Sequence, residues 1–285
     1  MMLFSKIPMT RVRLFIARIL YHLLRGILRG DHRLIRRQGI TYEIDLSEGI
    51  DLSLFIFGNF QNYVTHNRYV NLKDEAIVFD IGSNIGSMTL PFAKVASRGH
   101  VYAFEPTEYA YHKLIKNISL NPKLAERITP VQLFLSDQTK SEHQIKAYSS
   151  WRVNGSALNT HPVHGGSIKS AVSVPSVTLD DYCEENKIET IHLIKIDTDG
   201  HELNVLKGAL RTLKKCLPYV IFEIGLYVMK EQEIEFDDYY TYLNKIGYSL
   251  LNAKNGKVIT RQNFSSQIPL LSTTDVIAMP PKPPG

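Results

Sequence analysis

The chain has 285 residues, of which 44% are hydrophobic and 21% charged, enough for one large α/β domain or two small ones. Its two cysteines, Cys183 and Cys216, exclude a disulfide framework and suit a reducing compartment. The net charge of +5 is unevenly placed: residues 1–39 hold nine Lys and Arg against Asp31 alone, leaving a mildly acidic body at −3, which excludes a broad nucleic-acid surface.

The basic segment contains RVRLFIARILYHLLRGILRG, residues 11–30. Leu14, Phe15, Ile16, Ile19, Leu20, Leu23, Leu24, Ile27 and Leu28 recur at helical spacing, with Arg11, Arg18, His22, Arg25 and Arg29 on another face. The pattern predicts a basic amphipathic helix. It is too short and too charged to span a bilayer. Arginines interrupt its apolar stretch and no small-residue cleavage site follows, so it does not read as a signal peptide. Two uses stay open: docking on an anionic membrane surface, or packing on the body or a second subunit. The expected location is cytoplasmic, with peripheral membrane contact as an option. Next, HRLIRRQGITYEIDL (32–46) predicts a hairpin turning at Gln38-Gly39, and residues 50–70 read as mostly helical. Residues 1–71 thus form an expected cap on the main domain.

From Ala76 strands and helices alternate. The expected strands are 76–82, 99–106, 128–137, 191–200, 219–225, 248–253 and 273–280. The expected helices are 87–96, 109–121, 202–215 and 236–246. This predicts a doubly wound, mostly parallel seven-stranded sheet over 72–279, with the last two strands able to pair antiparallel. The Pro-rich 280–285 reads as a disordered tail. Residues 138–176, rich in Ser, Asn, Gly and His and holding the only tryptophan, Trp151, read as an insertion at a strand end.

In such a sheet, ligands bind at the carboxyl ends of the strands. The turn in VFDIGSNIGSMTLPFA spells D-x-G-x-N-x-G through Asp80, Gly82, Asn84 and Gly86. Asp80 stands where a dinucleotide fold has its first glycine. An aspartate there repels a pyrophosphate but can pair with an ammonium, as S-adenosylmethionine carries. Glu105 ends the second strand, where an acid can hold ribose hydroxyls, and Ser136-Asp137 ends the third, where an adenine edge would lie. The three strand ends together point to S-adenosylmethionine.

The sequence here resembles the FkbM-type family of S-adenosylmethionine-dependent methyltransferases. The resemblance runs through VFDIGSNIGSMTLPFAK, VYAFEPTEYAYHKLIKNISLN, LFLSD, VTLDDYCEE, IHLIKIDTDGHELNVLKGA and PYVIFEIG, over about residues 76–225. The family's usual K-I-D-x-E-G-x-E reads K-I-D-T-D-G-H-E here: Asp199 replaces the glutamate and His201 is an added ionisable group. The resemblance implies a class I methyltransferase (Rossmann-like) fold and, most often, O-methylation of a sugar or other hydroxyl compound.

Methyl transfer to a hydroxyl needs an aligned acceptor and a base for its proton. Asp197, Asp199, His201 and Glu223 are the catalytic candidates. His201 has the best unperturbed pKa, and Asp197 lies beside the expected cofactor. Glu202 reads as a favourable charge at a helix N-terminus. No metal is assigned, although Asp197, Asp199 and His201 could ligate one. For the acceptor, Trp151 can stack on a sugar ring while Arg152, Asn154, Ser156 and Asn159 bond hydroxyls; His161 and His164 could add a base. No N/D-P-P-Y/F run follows the fourth strand, where DTDG stands, which argues against methylation of an amide or of a base amine. Neither cysteine sits where cytosine-C5 chemistry needs one. The expected partner is a small-molecule, glycan or glycolipid acceptor, not DNA. RNA methylation, a nicotinamide-dependent dehydrogenase and a non-catalytic membrane adaptor are the rival readings.

Overall fold

A computed structural model describes residues 19, 21–23, 25–28, 30–151, 166–270 and 272–281. Its centre is an eight-stranded sheet. Parallel strands β3 (Ile77–Ile81), β4 (His100–Phe104) and β5 (Ile128–Val131) run outward from one side of β9 (Leu193–Ile196). On the other side come parallel β10 (Tyr219–Ile224), then antiparallel β13 (Thr274–Met279), β11 (Ser249–Asn252) and the two-residue β12 (Val258–Ile259). The seven expected strands are present, and β12 adds an eighth by folding back beside β11. The expected antiparallel pairing of the last two long strands is found.

Strand alternation sorts the core into two layers. Phe79, Ile194, Ile196, Phe222 and Val276 face the helices Leu179–Glu185, Glu202–Lys207, Leu210–Cys216 and Phe236–Lys245. Val78, Val101, Leu193, Ile221 and Ile277 face the helices Thr89–Val95 and Glu108–Ser119. The N-terminal elements share this second layer. Strands β1 (His32–Arg37) and β2 (Ile40–Asp45) form the expected hairpin, with Gln38 and Gly39 both at positive φ in the turn. Asn117 of helix Glu108–Ser119 and Asn121, the N-cap of helix Pro122–Ala125, bond the backbone of Glu43 and Thr41. Asp51 of helix Gly49–Phe57 is buried against Lys113, 2.5 Å away.

Several expectations are corrected. The third strand, read as 128–137, ends at Val131. Pro130 has no N–H, so this strand sits at the sheet edge and the chain then leaves it. Phe134–Leu135 (β6) instead joins a separate three-stranded sheet. Residues 138–176 are no loop at their flanks: β7 (Lys140–Trp151) and β8 (Gly166–Val177) pair antiparallel with register shifts. Helix 202–215 breaks at Gly208, whose added Cβ would lie 2.1 Å from the Ser136 carbonyl oxygen. Helix 50–70 is two helices, Gly49–Phe57 and Asn62–Thr65, parted by Gly58 at φ +72. Helix Leu226–Glu231 follows β10 without having been foreseen.

Candidate active site

The site begins where β3 ends. Asp80 lies opposite Lys195 of β9 in the sheet register, and both side chains point to the same layer. Asp80 is fully buried. Its Oδ2 accepts from Thr89 Oγ1 at 2.5 Å, and its Oδ1 lies 3.4 Å from Lys195 Nζ. Lys195 Nζ also reaches Asp197 Oδ2 at 3.5 Å and donates to the Gly82 carbonyl at 3.1 Å. Burial alone would lower the Lys195 pKa, but Asp197 and Asp80 more than offset it and hold the ammonium charged.

The turn itself depends on glycine. Gly82 stands at φ +76, and a Cβ there would lie 1.8 Å from the Asp197 carbonyl oxygen, so the β3 and β9 ends can meet only without a side chain. Asn84, at φ 49, uses the left-handed region that asparagine tolerates. Glu105 pins the turn from β4: Oε2 accepts Asn84 N–H at 2.9 Å, and Oε1 accepts Thr107 N–H at 3.0 Å. Burial pushes its carboxyl up, against the lowering effect of these bonds. At the base of the turn, buried Ser83 Oγ has no hydrogen-bond partner, and Asp80 Oδ1 has only its ion pair.

On the other side of Asp197 the strand ends carry acids. Asp199 (φ 53) and Gly200 (φ 107) turn the chain after β9. Glu202 Oε1 closes that turn, accepting from Thr198 N–H at 2.9 Å, Thr198 Oγ1 at 3.1 Å and Gly200 N–H at 3.2 Å. Glu223 accepts from Thr273 Oγ1 at 2.5 Å and pairs in register with Asp275 of β13. Tyr63, from the N-terminal cap, donates its hydroxyl to Asp275. Lys254 Nζ lies 4.9 Å over the Tyr63 ring.

Burial, then the charges of Asp197 and Asp275, push Glu223 well above the usual carboxylate range. Asp275 is raised by burial, and Asp197 adds to the rise. Desolvation in the concavity and the charges of Asp197, Glu202 and Glu105 also raise Asp199 well above the usual range. Asp199 is exposed and Glu223 half-buried, so solvent tempers both rises and Asp199's the more. Asp197 is the common neighbour of all three. Such a cluster attracts cations and makes at least one carboxyl a stronger proton acceptor than usual.

The structure thus gathers Asp80, Gly82, Asn84, Gly86, Glu105, Asp197, Asp199 and Glu223 at neighbouring strand ends. His201 caps helix Glu202–Lys207, and its ring packs edge-on against Phe134 at 5.2 Å. Ser136 and Asp137 follow β6 of the second sheet, not the third strand of the central sheet, because the edge strand stops at Val131. Trp151 ends β7 opposite Gly166. Arg152, Asn154, Ser156, Asn159, His161 and His164 lie outside the described residues. Among the described residues no three or more His, Cys, Asp or Glu are grouped so as to hold a metal ion, so Asp197, Asp199 and His201 do not form a ligand set. Cys183 is buried and its thiol is pushed up to about 11, a poor nucleophile.

Sequence reasoning passed over Lys195, Thr89, Thr273, Asp275 and Tyr63, and gave Glu202 too small a part. A lysine inside the otherwise apolar strand HLIKI was the available signal, since a buried lysine needs a carboxylate partner. Tyr63 and Asp275 stand 212 residues apart and carried no local signal.

The family described as Methyltransferase FkbM domain matches residues 80–250. Hexuronic acid methyltransferase AglP of Haloferax volcanii is 24% identical over 152 residues, covering 53% of this chain and 57% of that protein. 2-O-methyltransferase NoeI of Sinorhizobium fredii is 27% identical over 164 residues, covering 53% and 65%. The chain therefore spans about three-fifths of the length of the curated relatives it matches. A crystal structure of methyltransferase FkbM from Methylobacillus flagellatus is 17% identical, covers 76% of this chain and 47% of that one, and superposes with a TM-score of 0.49. Since the matched residues make up more than half of its length, the chain belongs to the FkbM methyltransferase family.

Proposed function

We propose that the protein is an S-adenosylmethionine-dependent O-methyltransferase acting on a hydroxyl of a sugar, glycan or related metabolite. The observation that carries this reading is the placement of Glu223 and Asp197 at the adjoining ends of β10 and β9, where burial and the Asp197 charge raise the Glu223 carboxyl. An alcohol must shed a proton as it accepts a methyl group, and a carboxylate whose proton affinity is raised above the ordinary range is suited to receive it.

The strand ends suit the cofactor. The turn 82–86 offers backbone close to the ligand, Ser83 Oγ is a buried polar atom with no partner of its own, and Glu105 stands at the ribose position. Bound there, S-adenosylmethionine supplies a methyl group on a cationic sulfur, a charge the surrounding carboxylates favour. Asp80 is occupied by Lys195 and Thr89, so its part is to fix the turn from below. Asp197 and Glu202 set the loop that borders the acceptor. Glu223 takes the proton, with Thr273 hydrogen-bonded to it and the neighbouring Asp275 raising its proton affinity. Two relatives support an oxygen acceptor on a sugar: the name of one specifies a hexuronic acid and that of the other a 2-O position.

Calorimetric titration with S-adenosylmethionine and, separately, NAD tests the cofactor. Saturable binding of the first and none of the second is expected. Transfer of labelled methyl to a panel of uronic acids and neutral glycans then tests the acceptor. Binding of NAD, or label appearing only on amines or RNA, contradicts the proposal.

A further inference from the structure

The N-terminal helix has two candidate inner faces: its regular apolar stripe, or something else. The structure buries Tyr21 completely, with Leu28 packed partly against the same layer of the core. The stripe faces away. Ile19 is 47% exposed, Leu23 59% and Ile27 76%. These three residues stand four apart, so they lie within about 80° of one another on an α-helix. The next strand adds Leu34, 60% exposed.

A helix packed on its own body by its hydrophobic side would have buried these residues. Here the body is held by Tyr21 and by Arg33, which donates to the carbonyls of Leu28 and Gly30. The three apolar residues are left exposed on a cationic segment. On the same segment Arg25, Arg36, His22 and His32 are exposed, with Arg25 3.9 Å from Asp31, and residues 1–39 carry a net +8 while the rest of the chain is acidic. Among the described residues no helix is long and apolar enough to cross a membrane. The combination is an exposed apolar strip on a strongly cationic segment, carried by a helix anchored through Tyr21 on its other side.

We propose that this face binds the surface of an anionic lipid bilayer, with Ile19, Leu23 and Ile27 inserted among the acyl chains and the arginines on the headgroups. A bilayer fits better than a protein partner because the excess positive charge is confined to the segment that carries the exposed stripe, as anionic headgroups require. The acidic remainder of the protein would be held off the same surface. The proposal stands apart from the methyl-transfer reading and does not depend on it.

The test is flotation of the full chain with vesicles of phosphatidylcholine alone, and of phosphatidylcholine mixed with phosphatidylglycerol. Two variants accompany it: Ile19→Ser/Leu23→Ser/Ile27→Ser and Arg25→Gln/Arg36→Gln. All these side chains are exposed, so melting temperatures should match the wild type. The expected result is binding to the anionic vesicles that falls with salt, and is weakened about tenfold or more by either variant. Failure of the wild type to float with anionic vesicles overturns the proposal. So does equal flotation of the triple-serine variant. A wild-type dimer in light scattering that the triple-serine variant converts to monomer would also overturn it, assigning the stripe to a second copy of the chain.

Discussion

The two halves of the site are built on opposite principles. On the β3–β4 side every charge has a matched partner: Asp80 has Lys195 and Thr89, and Glu105 has two backbone N–H groups. On the β10–β13 side Glu223 and Asp275 face one another and Asp197, with hydroxyls of Thr273 and Tyr63 as their direct partners. A satisfied network holds one geometry. A crowded set of carboxylates stores proton affinity instead. The first half is suited to holding a cofactor and the second to handling a proton.

The largest effect should come from Gly82→Ala. It combines positive φ with a Cβ that would lie 1.8 Å from the Asp197 carbonyl oxygen. A loss of about 4 kcal/mol or more is expected, checked by denaturant unfolding, because backbone cannot yield as a side chain can. Wild-type stability would break the contrast at its root.

Lys195→Met comes next. It strands Asp80 as a buried, unpaired carboxylate, at a cost of about 3–5 kcal/mol. Adding Asp80→Asn should restore much of that stability, and a double-mutant cycle by chemical denaturation reads the coupling.

Glu223→Gln sharpens the comparison because activity and stability should move in opposite directions. Turnover is expected to fall about 10²- to 10⁴-fold, with the rising limb of the pH–kcat/KM profile lost. That limb lies above the usual carboxylate range in the wild type, since the base must be ionised. Stability has the other sign. A folded pKa raised above the unfolded value means that Glu223 contributes stability at low pH and loses it as pH rises through the folded pKa. The glutamine variant should therefore gain melting temperature over the wild type at pH 8 but not at pH 4.

The smallest effect is expected of Tyr63→Phe. It removes one hydrogen bond to Asp275 and should cost about 1–2 kcal/mol of stability. It should change acceptor KM while leaving S-adenosylmethionine affinity as it was.

The same contrast governs what could be read in advance. The turn half was legible because buried parallel strands are continuous apolar runs, and their ends fall at Asp80, Glu105, Asp197 and Glu223. The partner of Asp80 was not, because Lys195 becomes its neighbour only through the β3–β9 register. The other half was barely legible. Tyr63, Thr273 and Asp275 lie outside the stretch matched by the family, and they meet Glu223 only once β13 inserts beside β10. The β7–β8 hairpin was hidden because polar residues dominate HPVHGGSIKS and SEHQIKAYSS, so alternation gave no clear inner face. Exposure of Ile19, Leu23 and Ile27 likewise could not be foreseen, since nothing local showed that Tyr21 would be the buried anchor.

The division of labour is tested most directly by calorimetric titration of S-adenosylmethionine into wild type, Glu105→Gln and Glu223→Gln. The expected result is binding weakened about tenfold or more in Glu105→Gln, which loses the charged acceptor proposed for the ribose, and within about threefold of wild type in Glu223→Gln. The reverse pattern, with Glu223 governing affinity and Glu105 dispensable, would contradict it.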